Sequence, residues 1–90
     1  MRSAQDADLL NALAAELRAR RKDAKVSQEE LAHRAGMNRT FIGKMEIGLN
    51  QPSLTSFFCL ASGLGISAVE LLQGVATRYE RELKSRARKS

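Results

Sequence analysis

The sequence predicts an all-α protein built from five short helices. Three observations carry this. Apolar residues recur at i, i+3, i+4, i+7 spacing in separate stretches, the period of a helix with one buried face. Ser, Asn or Asp stands before these stretches and glycine after most of them, as suits the opening and closing of helices. Aromatic residues make up 4% of the chain, tryptophan is absent and proline occurs once. That is too few β-formers for a sandwich and too little proline for a disordered chain. The 90 residues allow one core, not two.

The first helix spans about 6–22, with Leu10, Leu13, Ala14 and Leu17 on one face and Ser3 or Asp6 as its cap. Ser27-Gln28-Glu29-Glu30 then has the form of a capping box. In it Ser27 accepts from the Glu30 N–H, and Glu30 reaches back to the Ser27 N–H. The second helix runs to about Ala35, and Gly36 closes it in a left-handed conformation. Asn38 opens a third helix, which runs to about Glu46 and stops at Gly48, before the loop residues Asn50-Gln51-Pro52. Ser53 starts a fourth, with the stripe Leu54, Phe57, Phe58, Ala61 and Leu64, and Gly65 stops it. Ser67 and Glu70 form a second capping box, opening a fifth helix through Leu71 and Leu72. Past Gly74, the residues Val75, Tyr79 and Leu83 continue a stripe. A domain over 6–74 and a basic helical extension over 75–90 are expected, with the glycines acting as helix terminators.

The formal net charge of +5 is unevenly spread. Residues 1–17 carry Arg2 against Asp6, Asp8 and Glu16. Residues 18–44 hold eight basic groups against three acidic ones, and residues 78–90 hold six against two. Between Ile47 and Val69 there is no charged residue. A basic block invites a phosphate backbone, although it also describes a solvated helix face. One cysteine excludes an internal disulfide and a multi-cysteine zinc site. His33 has no partner at metal-ligand spacing and reads as a surface residue. No paired carboxylate in a plausible pocket, no nucleophile with a base and no glycine-rich phosphate loop is evident, so neither enzyme activity nor a cofactor is expected. No apolar signal segment opens the chain, and no uncharged apolar run reaches the roughly 20 residues that span a membrane. A reduced, cytoplasmic location without a membrane partner is expected.

Two short helices joined by a glycine turn suggest a helix-turn-helix. Residue size agrees at each offset. Ala32 is small where the two helices cross, Gly36 makes the turn, and Leu31, Ala35, Met37, Ile42 and Met45 supply the apolar face. The second helix then presents Asn38, Arg39, Thr40, Gly43 and Lys44 outward.

Taken together, Ser27–Ala32, Ala35-Gly36, Arg39–Ile42, Glu46, Gly48 and Asn50–Leu54 resemble the phage repressor/Cro superfamily. Within it the chain is most similar to small single-domain members such as restriction–modification controller proteins. The resemblance covers roughly 9–73. It implies a five-helix DNA-binding domain that acts as a homodimer on an inverted-repeat operator in double-stranded DNA. Position by position, it implies base contacts from Arg39, Thr40 and Lys44. Gln28 would contact a phosphate and brace the reading helix. Asn38, Asn50 and Gln51 are further candidates for the DNA backbone, Asn38 equally as a helix cap. Arg21 and Glu46 match a structural ion pair. The residue types suit these tasks, since arginine can donate twice to guanine and threonine offers a hydroxyl and a methyl.

Lys25 stands where the family often has glycine, Ile47 where a polar or basic residue is common, and Phe58 and Cys59 where polar residues are frequent. Phe58 and Cys59 either join the core or, with the uncharged run 47–69, form an apolar patch buried on dimerisation, for which Leu72 is a further candidate, while Val75, Tyr79 and Leu83 either pack back on their own domain or pair with a partner's extension. An antitoxin-type module that masks a different protein is the alternative on the same fold. An RNA binder would need surface aromatics that this chain lacks.

Overall fold

The computed structural model describes residues 5–89. They form α1 (Ala7–Asp23), α2 (Gln28–Ala35), α3 (Arg39–Met45), α4 (Leu54–Leu64) and α5 (Ala68–Lys89). Every helix gives at least one side chain to the centre: Leu17, Leu31, Ile42, Met45, Leu60 and Leu71 are fully buried. Each such burial contributes about 1.5–3 kcal/mol.

The helix ends follow their local chemistry. Asp6 Oδ1 accepts from the N–H groups of Asp8 and Leu9 at 2.9 and 3.2 Å; Ser3 lies outside the described residues. Ser27 and Ser67 accept from the N–H groups of Glu30 and Glu70, each at 3.0 Å. The return half of both capping boxes is missing, because each glutamate has a stronger partner. Glu30 pairs with Arg34 at 3.2 Å, and Glu70 with Arg20 at 2.7 Å.

Gly36 and Gly65 take the left-handed conformation at helix ends (φ 67° and 74°). Lys25 takes it too, at φ 59°, although it has a side chain. The turn after α1 therefore keeps the shape a glycine would give it, with the Val26 N–H reaching back to the Arg21 carbonyl at 3.2 Å.

Three glycines do not end helices. Gly43 sits inside α3, where a Cβ would meet only Gln28 Oε1 at 3.6 Å. Gly63 is where α4 crosses α2, since a Cβ there would lie 3.0 Å from Leu31 Cδ1 and 3.3 Å from the Ala35 nitrogen. Gly74 lies under the Glu16 carboxylate, 2.1 Å from where its Cβ would stand. Gly74 does not terminate a helix as expected, because α5 runs through it unbroken. The glycine is there to let a carboxylate approach.

The residues that follow Gly74 pack on the core through the same helix. Val75 is buried in the core and Tyr79 packs against it. Of the two readings for these residues, packing on their own domain is the one seen, and Val75 also lines an apolar groove. The positive charge of the tail meets acidic residues along α1 and at its cap. Arg78 Nε lies 2.8 Å from Glu16, Arg86 Nη2 2.8 Å from Asp8, and Tyr79 Oη donates to Asp6 at 2.5 Å. That hydrogen bond from Tyr79 holds the Asp6 carboxyl below its ordinary value.

Glu16 is 7% exposed and sits between Arg78 and Arg20, the latter at 2.7 Å. Burial pushes its carboxyl up, but the hydrogen bonds and charges of the two arginines outweigh burial and bring it below the ordinary value of 4.5.

The α4 stripe is kept in part: Ala61 and Leu64 are buried and Phe57 packs against the core. Leu60 turns inward, while Leu54 and Phe58 are exposed. All the buried residues of α4 lie in its second half, where it crosses α2, so its first half projects past the core.

Lys25→Gly relieves a left-handed penalty of about 1–2 kcal/mol and adds about 0.5–1 kcal/mol of backbone entropy cost. A rise of about 2–6 °C in the melting midpoint is expected by differential scanning calorimetry; a fall would mean that Lys25 is not strained. Because the folded pKa of Glu16 is depressed, its contribution is complete above about 4.5 and is lost as pH drops below that value. Denaturation between pH 7 and pH 3 should show Glu16→Gln less stable at neutral pH, with a shallower acid loss than the unsubstituted chain.

Candidate nucleic-acid interface

α2 and α3 form a helix-turn-helix around Gly36. The Met37 N–H bonds the Ala32 carbonyl at 2.8 Å and tightens the turn. Ala32 and Ala35 are buried beneath the crossing, with Leu31. Asn38 then opens α3, its Oδ1 accepting from the Thr40 N–H at 2.7 Å. The side-chain oxygen of Asn38 is therefore engaged as a cap.

α3 buries Ile42 and Met45 and turns Arg39, Thr40 and Lys44 to solvent. Arg39 and Thr40 share its first turn, and Lys44 is four residues after Thr40. The structure thus places the three expected base-contacting residues on one exposed helix. Asn50 is half-buried and Gln51 exposed, in the loop that follows.

The C-terminal end of α3 is fixed by Glu46. This carboxylate is 2% exposed, and three donors surround it. Arg21 Nε donates to Oε2 at 2.7 Å, Arg21 Nη2 to Oε1 at 3.0 Å, and Gln28 Nε2 to Oε1 at 3.1 Å. Arg21 Nη1 also donates to the Val26 carbonyl at 3.0 Å, which ties in the turn after α1. The hydrogen bond to Glu46 raises the Arg21 guanidinium above its ordinary value. α1, the start of α2 and the end of α3 meet at one carboxylate. Gln28 braces α3 here and is half-buried.

Sequence reasoning missed Arg18, whose Nη1 donates to the main-chain carbonyl of Glu46. Its i, i+3 relation to Arg21 was the available signal: two arginines on one face of α1 reach the same place. Sequence reasoning also missed Glu16, since a carboxylate on an apolar helix face gives no local sign of its partners.

A second feature lies elsewhere on the surface. Leu9, Leu54, Phe58, Val69 and Leu72 line one open apolar groove of about 360 Å³ between the start of α1, α4 and α5. Leu54 and Val69 are 75% exposed, Phe58 57% and Leu72 56%. Cys59 beside them is half-buried, with a free thiol. Among the described residues no single helix is long and apolar enough to cross a membrane.

The fold and the exposed basic helix define a DNA-binding regulator rather than an enzyme. The chain belongs to the helix-turn-helix family, which it matches over residues 17–71. An uncharacterized helix-turn-helix-type transcriptional regulator of Sinorhizobium fredii (strain NBRC 101917 / NGR234), y4dJ, is 33% identical over 52 residues, covering 58% of this chain and 68% of that protein. The restriction–modification controller protein C.AhdI from Aeromonas hydrophila is 35% identical, with a TM-score of 0.67, over 69% of this chain and 94% of that chain. The clp gene regulator ClgR from Corynebacterium glutamicum is 25% identical, with a TM-score of 0.79, over 88% and 84%.

Arg21→Ala would leave a carboxylate buried with one neutral donor. A loss of about 3–5 kcal/mol is expected in urea unfolding. The pair Arg21→Met with Glu46→Leu, which removes both charges, should recover most of it. If the single variant loses under about 1 kcal/mol, the contact is only a surface ion pair.

Proposed function

We propose that this protein is a sequence-specific transcriptional regulator that binds an inverted-repeat operator as a homodimer, with α3 in the major groove. The observation that supports the reading best is the α3 surface. Its buried side is locked by Ile42, Met45 and Glu46, and its open side carries a guanidinium, a hydroxyl and an ammonium. Arg39 suits bidentate donation to guanine O6 and N7, Thr40 a hydrogen bond or a thymine methyl, and Lys44 guanine or a phosphate. Gln28, Asn38, Asn50 and Gln51 lie at the helix starts and the following loop, where backbone N–H and amide groups meet phosphates. Such a regulator works in the cytoplasm, where the DNA is. Its similarity to controller proteins supports a role in restriction–modification control.

Homodimerisation rests on the apolar groove. Five large apolar side chains are held open together on a small domain, and covering the area they still expose is favourable by about 25 cal/mol per Å². A second copy is the occupant that suits the surface. The run 47–69 carries no charge on a chain of net +5. Two such faces therefore meet without repulsion, as the charge-depleted cores of interfaces do. Two-fold symmetry places the α3 helices about 34 Å apart, one turn of B-DNA.

Arg39→Ala is expected to cost about 1–3 kcal/mol on the preferred duplex and to relax one base position per half-site, read by fluorescence anisotropy on a panel of single-base variants. Equal losses on preferred and random duplexes would make Arg39 a backbone contact only. Leu72→Glu is expected to sediment as a folded monomer at concentrations where the unsubstituted chain is a dimer. A monomeric unsubstituted chain would direct the groove to a different protein, as an antitoxin would use it.

A further inference from the structure

The carboxylate clamp holds the end of α3 by a side chain, above the buried Ile42 and Met45. A second grip acts on the main chain. At the end of α3 the carbonyls of Ile42, Lys44 and Met45 accept from the following amides, those of Glu46, Ile47, Gly48 and Leu49. The next carbonyl, that of Glu46, accepts from Arg18 Nη1. The guanidinium thus sits at the negative end of the helix, where a cation is favoured. Arg18 and Arg21, one turn apart on α1, hold the backbone and the side chain of the same residue. The main-chain grip adds a fixed point at the C-terminal end of α3 to those given by Ile42, Met45 and the Glu46 carboxylate.

We infer that Arg18 is a positioning residue for base recognition: it sets the tilt of α3 in the groove through the Glu46 carbonyl and not by touching DNA. The inference rests on the base-reading role proposed for α3. Bidentate recognition depends steeply on angle, so a small change in tilt weakens base contacts while leaving mobile phosphate contacts in place.

The test compares Arg18→Ala and Arg18→Lys with the unsubstituted chain. Binding is measured by anisotropy on the duplex the unsubstituted chain prefers and on a random duplex of equal length, across a salt series. Arg18→Ala is expected to weaken preferred binding about tenfold, to change random binding less than about twofold and to leave the salt slope unchanged. Arg18→Lys, which keeps a donor for the carbonyl, is expected to recover most of the preference. Equal losses on both duplexes, with the slope falling by about one ion, would make Arg18 a phosphate contact and overturn the inference. Unchanged preferred binding would overturn it as well. Hydrogen exchange of the free protein gives a readout without DNA. The amides of residues 46–49 should exchange faster in Arg18→Ala while those of α1 do not, and unchanged exchange contradicts the grip. If the unsubstituted chain prefers no sequence, base reading itself fails, and exchange still reports separately on the clamp.

Discussion

A single buried carboxylate organises the half of the molecule that faces outward. Glu46 is enclosed by Arg21 and Gln28, and Arg18 takes its main-chain carbonyl. Enclosing a charge costs several kcal/mol of hydration, and the attraction between partners largely offsets that cost without yielding much net stability. What the cluster provides is geometry. The seven-residue α3 is too short to hold itself, because isolated helices below about 12–15 residues are marginal. Its position comes from Ile42 and Met45 below and from Glu46 at its end, which leaves Arg39, Thr40 and Lys44 on a rigid support.

A second charged cluster does the same for the other side. Glu16 lies on Gly74, gripped by Arg20 and Arg78, and Arg20 extends the network to Glu70. It locks α1 to α5, and α5 carries Val69 and Leu72 to the apolar groove. The basic tail is consumed in part by these internal pairs.

What was legible in the sequence was local. Caps at Asp6, Ser27, Asn38, Ser53 and Ser67 act on N–H groups two or three residues away, so the letters suffice. Gly36 and the size of Ala32 were likewise readable, and with them the helix-turn-helix. What was not legible depended on partners far along the chain. Gly74 is a helix break by propensity and a seat for Glu16 in fact, and only the packing of α1 on α5 separates the two. The same holds for Gly63, and for Leu60 turning inward in place of Phe58. Glu30 and Glu70 satisfy the capping-box pattern, yet arginines draw both carboxylates elsewhere. Lys25 shows the converse: the tertiary structure holds a left-handed turn against the preference of its residue.

Selection from a pool of randomised duplex DNA, repeated across a salt series, tests the account most directly. An enriched inverted repeat is expected, with half-site centres about 10 base pairs apart and affinity falling steeply with salt. Salt-sensitive retention with no enriched sequence would contradict it. In that case the basic face would be real, but α3 would not read bases.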